Sequence, residues 1–294
     1  MTGLLILVFS VFLTLGYVRK SLRPVAFIGA VLFLYLESTG PHGDGMFFMV
    51  MSLTFAFTYI TAMRHNLKSE HAFLLVLSSI YAVAVLFQIF DLYILHKIPF
   101  TYTIIQSTLE KMSESMVMLK NMENISIDAT IKFQTAYAVF TTTLPLVAPY
   151  LLFVFVLVYV VTAMVFLSKK NIRKDAPFKE FLNWAWEDLT IYILIIGWFV
   201  YIIGREWEYS FLVVLGLNTR LISESLFLIQ GIAIISFWFH KHKFPVILQV
   251  LFYIPIFILR PVQVFFGYLG AFDTWFDFRG MKKEETKNES HIER

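Results

Sequence analysis

From Leu144 to Leu167 the chain reads LPLVAPYLLFVFVLVYVVTAMVFL, without one charged residue. A stretch that long and that apolar matches the ~20 residues a helix needs to cross a ~30 Å hydrocarbon layer. It stops at Ser168-Lys169-Lys170-Asn171-Ile172-Arg173-Lys174, a basic run of the kind held on the cytoplasmic side. Several similar runs flank it. The chain is therefore expected to be a polytopic membrane protein.

Composition agrees. Hydrophobic residues make up 58% and charged residues 15%, against about 45–50% and about 25% in a soluble domain. The excess is too large for a buried core and must face lipid or other spanning helices. The basic residues are scattered among short loops and form no stripe, which excludes nucleic acid as a partner. There is no Cys, so thiolate nucleophiles, disulfides and Cys-ligated metal centres are excluded.

Candidate spans fall near 3–18, 25–37, 46–63, 72–95, 144–167, 189–204, 215–239 and 245–278. Met1 to Val18 lacks a basic n-region and a small-residue cleavage site, so it reads as a first span and not as a signal peptide. The expected fold is all-α: an integral membrane bundle of about eight (seven to nine) transmembrane helices. Residues 1–280 read as a single transmembrane domain, and the polar tail 281–294 as disordered.

Loop charges give the orientation. Arg19, Lys20 and Arg23 follow the first span, Arg64 and Lys68 the third, Lys169 to Lys179 the fifth, and Lys241 with Lys243 the seventh. This places the amino terminus outside and every odd-numbered exit inside. The tail from Arg279 onward is also basic, yet an eighth single crossing would put it outside. Pro255 and Pro261 interrupt the last apolar block, so a hairpin of two short spans, making nine crossings and returning the tail to the cytoplasm, is the alternative.

Between the fourth and fifth spans lies a long outer loop, about 96–143. Within it Ile105, Leu109, Met112, Met116 and Leu119 recur at spacings of 4, 3, 4 and 3, with Glu110, Lys111, Glu114 and Lys120 on other faces. That is an amphipathic helix over about 104–122, lying on the membrane surface or offering a docking face. Ser126-Ile127-Asp128 reads as a cap for the helix leading into the fifth span.

Ionisable groups within apolar spans are costly and are candidates for function. Asp91, Glu224 and Arg260 all fall in the outer halves of their spans, with Gln230 about two turns deeper than Glu224. Together they form the candidate ligand-binding set. The plainer reading pairs Arg220 with Glu224 four residues on and lets Arg260 snorkel to the headgroups. Near the end, Asp273, Trp275, Asp277 and Arg279 read as an interfacial anchor, with Trp at headgroup level and the charges in water. The two aspartates one turn apart also suit acid–base work or cation binding. His240 and His242 have no nearby carboxylates, and no HExxH, phosphate-binding or nucleophile-elbow motif occurs. No metal, cofactor or enzymatic activity is expected.

The succession of the Pro-containing long span, Pro177-Phe178-Lys179-Glu180-Phe181 leading through Trp184 and Trp186, then Gly216-Leu217-Asn218, Leu228-Ile229-Gln230-Gly231-Ile232-Ala233 and Leu269 to Arg279 resembles the YybS-like family of bacterial membrane proteins. The likeness covers about residues 100–280. It implies a multi-pass protein of the bacterial cytoplasmic (inner) membrane. The family is distantly similar to the substrate-binding subunits of energy-coupling-factor transporters, which implies a transporter-like fold with an outward-facing pocket for a small solute. The expected partners are thus the lipid bilayer, a small-molecule ligand and a membrane protein partner. The alternative function is a scaffold that docks partners through the amphipathic helix.

Overall fold

The computed structural model describes residue 14 and residues 44–93, 100–120, 127–169 and 181–280. Among these residues the chain is all-helical. The helices are α1 (Asp44–Arg64), α2 (Ser69–Tyr93), α3 (Phe100–Lys120), α4 (Ile127–Leu146), α5 (Ala148–Lys169), α6 (Asp188–Glu206), α7 (Ser210–Lys241), α8 (Val246–Ile258) and α9 (Arg260–Phe276), with a short 3-10 turn at Phe181–Asn183. Four of them, α2, α5, α6 and α7, are long and apolar enough to cross a membrane, and the bent pair α8–α9 makes a fifth when taken together. Apart from residue 14, the expected spans 3–18 and 25–37 lie outside the described residues, as do the basic turn 170–180 and the tail 281–294.

Two compact units divide the chain: Met1–Thr61 with Leu75–Ala163, and Ala62–Leu74 with Met164–Arg294. The stretch read from sequence as one transmembrane domain contains both. In the first unit, α1 carries hydroxyls that its own backbone satisfies, Thr54 donating to the Val50 carbonyl at 2.8 Å and Thr58 to that of Thr54 at 2.7 Å. Polar side chains become tolerable in an apolar helix this way. The core is aromatic. Phe55 is fully buried, with Tyr159 of α5 edge-on at 5.7 Å, and Tyr81 of α2 meets Phe153 at 5.5 Å.

The amphipathic prediction falls on α3. Ile105 is buried and Leu109, Met112 and Met116 are half-buried, while Glu110, Lys111 and Glu114 are exposed; Leu119 and Lys120 have side chains outside the described set. The long outer loop is mostly helix, filled by α3 and α4. The fifth span starts at Ala148 and not at 144, because the chain turns at Val147 between Pro145 and Pro149.

In the second unit, α6 and α7 form an antiparallel hairpin through Trp207-Glu208-Tyr209, with Glu208 in the left-handed region at φ 55°. Small residues set its register. A Cβ on Gly204 would come within 2.6 Å of Val213 N, and one on Gly197 within 2.8 Å of Arg220 N. Helices in lipid gain no hydrophobic drive from meeting each other, so close backbone approach over glycine supplies the packing. α9 then crosses α7 by the same device: a Cβ on Gly231 would overlap the Phe266 carbonyl oxygen, and one on Gly270 that of Phe227.

Between α8 and α9 the axis turns by 104° at a single residue, Leu259. Of the two prolines expected to interrupt this block, Pro255 sits inside α8 and Pro261 marks the break. Proline suits the first turn of a helix, whose N–H groups lack helical partners, and Pro261 has no N–H to give the Phe257 carbonyl four residues back, so α8 does not run on through it. Gln263 ties the two sides together by donating to the Phe257 carbonyl at 3.0 Å.

Candidate functional site

Two polar clusters lie in the second unit, and between them they hold Glu224, Gln230, Arg260, Asp273 and Arg279 of the sequence-derived candidates. The first begins where α9 ends. Asp277 adopts a left-handed cap at φ 45°, which Asp tolerates better than most residues. The turn brings the Phe278 N–H onto Asp273 Oδ1 at 2.9 Å and swings Arg279 back along the helix. The Arg279 guanidinium, wholly buried, then bonds Asp273 Oδ2 at 2.7 Å, the Leu182 carbonyl at 2.8 Å and the Trp184 carbonyl at 2.8 Å.

Gln230 of α7 closes this cluster. Its Nε2 donates to Asp273 Oδ2 at 3.2 Å, and its Oε1 accepts the Trp186 N–H at 3.1 Å. Both indoles are tied in as well, Trp184 Nε1 to Ser69 Oγ at 2.9 Å and Trp186 Nε1 to the Leu226 carbonyl at 2.6 Å. Phe73 packs against Trp184 with the rings tilted by 41° and their centroids 4.9 Å apart. A buried ion pair is tolerable when both charges find further hydrogen bonds, and here both do. The result is a clasp joining the segment after α9, the segment before α6, the middle of α7 and the start of α2.

The motif expected to be an interfacial anchor is folded inward. Asp273 and Arg279 do not stand in water; they are buried against each other, because the left-handed turn at Asp277 folds the chain back. Trp275 and Phe276, pointing the other way, are exposed. Asp273 enters the clasp through its side chain, and Asp277 forms the left-handed cap of α9. Gln230 belongs to the clasp too, and not with Glu224.

The second cluster sits where α6, α7 and the α8–α9 break meet. Arg220 Nε bonds Glu224 Oε1 at 2.8 Å, the i, i+4 pair expected from spacing. Arg260 Nη2 bonds Glu224 Oε2 at 3.0 Å across 36 residues. The Arg220 guanidinium lies 3.7 Å over the Trp198 ring, a cation–π contact that replaces lost hydration. Side-chain exposure rises from 10% at Glu224 to 22% at Arg220 and 51% at Arg260. The backbone of Arg220 packs on Gly197, midway along α6. Asp91 lies in the last turn of α2, and its side chain falls outside the described residues.

Trp184, Trp186, Trp198 and Arg220 are the participants that charge spacing alone did not single out as ligands. Their signal was the cluster of Trp at the entry to α6, and an Arg one turn from a Glu within an apolar run. No curated protein and no solved structure matches the chain. One family model, described as Predicted membrane protein (DUF2232), matches residues 1–274. With several apolar helices and a match over nearly its whole length, the chain belongs to this family of predicted membrane proteins.

Proposed function

We propose that this is a non-enzymatic, multi-pass protein of the bacterial inner membrane, with a transporter-like fold, that binds a small solute at the Arg220–Glu224–Arg260 cluster. The observation that carries the reading is the 3.0 Å bond from Arg260, at a sharp helix break, to Glu224 in the middle of α7. Charged groups at mid-depth in apolar helices are costly and mark solute or ion paths. Transporters build such sites at discontinuous helices near the midplane.

The clasp supports a topology. Arg279 bonds the backbone of Leu182 and Trp184, so the chain after α9 emerges on the side where α6 begins. α7 ends on that side as well. In this reading the eighth apolar block enters and leaves by one face as a re-entrant α8–α9 pair. Seven crossings then leave the basic tail inside, in accord with the positive-inside rule.

The test is a thermal-shift screen of the purified protein against vitamins, nucleobases and metal ions. A ligand that binds only the folded state adds RT ln(1 + [L]/Kd), about 2.7 kcal/mol at one hundred times Kd. The shift should disappear in Glu224→Gln. A flat screen would favour the scaffold reading, whose supporting observation is the exposure of Val117 and Met118 near the end of amphipathic α3.

A further inference from the structure

Resting on the solute-binding reading above, we infer that the group recognised at the second cluster is an anion, a carboxylate or phosphate, and that Arg260 takes it. Two guanidinium groups and one carboxylate leave one positive charge. Each Glu224 oxygen is engaged by one arginine, so Glu224 has no further oxygen to offer either. Arg220 is settled between Glu224 and the face of Trp198. Arg260 is not: its side chain is half exposed, and its Nη1 makes only a long 3.4 Å bond to the neutral Gln263.

Phe257, Ile258 and Leu259, immediately before Arg260, are exposed and apolar. From Asp188 to Phe276 the other carboxylates are Asp188 at the start of α6, Glu206 and Glu208 at its far end and turn, and Asp273, which is held by Arg279. The positive end of the α9 dipole coincides with Arg260. A cation would be repelled, and a neutral solute would leave the charge unmatched in an apolar setting. An anion forms a charge-assisted, two-pronged bond with the guanidinium.

The anion has two sources, a free solute or a lipid headgroup, and the experiment separates them. Wild type, Arg260→Gln, Arg260→Lys and, as control, Arg205→Gln at the exposed end of α6 are compared by thermal shift. One arm uses neutral detergent with inorganic phosphate, acetate, choline or glucose. The other uses nanodiscs of phosphatidylglycerol or phosphatidylcholine. The expected result is saturable stabilisation by phosphate or acetate (free solute) or by phosphatidylglycerol (headgroup). It should persist in Arg205→Gln, be partial in Arg260→Lys and weaken about ten- to a hundred-fold in Arg260→Gln.

Stabilisation by choline or glucose instead, lost in Glu224→Gln, would overturn the anion inference and leave solute binding standing. Equal stabilisation of wild type and Arg260→Gln by anions would overturn the assignment to Arg260. No shift with any probe here, or in the broader screen, would overturn both. The comparison of probe charges needs wild type alone, so it stands even if Arg260→Gln does not fold.

Discussion

The Asp273–Arg279 pair offers the sharpest test of the clasp. In Asp273→Asn the shape of the side chain survives but the counterion is lost. Arg279 keeps its bonds to the Leu182 and Trp184 carbonyls, at 2.8 Å each, yet these are neutral and leave the buried guanidinium uncompensated. Breaking one side of a buried pair costs about 3–5 kcal/mol. Arg279→Gln strands the carboxylate in the same way, relieved in part by the Gln230 amide and the Phe278 N–H. The double variant carries neither charge and should lose clearly less than the sum of the singles. We expect a coupling energy of at least about 2 kcal/mol. Neutral hydrogen bonds between membrane helices average ~0.6 kcal/mol and reach ~1.7, and exposed ion pairs give ~0.2–1. Equilibrium unfolding in mixed micelles, followed by circular dichroism at fixed protein concentration, measures the cycle. A coupling below about 0.6 kcal/mol would mean the pair is solvated, as the anchor expectation held, and the clasp argument would fail.

The α7–α9 crossing predicts a contrast among glycines. Gly231→Ala and Gly270→Ala drive a methyl into a backbone carbonyl and should each cost about 1–3 kcal/mol in the same unfolding assay. Gly267→Ala, whose nearest neighbour is 3.4 Å away, should change stability little. Trp184→Phe keeps the ring against Phe73 but strands the Ser69 hydroxyl; a loss of about 1 kcal/mol is expected, and none at all would argue against that bond. Because the chain has no Cys, single cysteines report topology directly. Phe278→Cys should react with impermeant maleimide only from the cytoplasmic side and Trp207→Cys, exposed in the α6–α7 turn, only from outside. Reaction from the same side would sink the re-entrant reading of α8–α9.

Periodicity and charge made much of the scaffold legible. The uncharged run after Leu144, the amphipathic spacing from Ile105 and the i, i+4 pair of Arg220 and Glu224 are local properties, written in residues near each other in the chain. They reappear as α5, as α3 and as a 2.8 Å ion pair. The break near Pro261 was legible for the same reason, since proline lacks the N–H that would continue a helix and crowds the carbonyl four residues back.

What required the folded chain was partnership over distance. Nothing local says that Arg279 turns back onto Asp273 and reaches the backbone at Leu182, 97 residues away, because that depends on a left-handed turn and on a glycine-lined crossing. The same crossing brings Arg260 to Glu224 while taking Gln230 elsewhere, so residues that looked like one set became two. Sequence dictated membrane helices because transfer into lipid depends on composition alone. Which charges meet depended on where small residues let two backbones touch, and only the tertiary structure decided that.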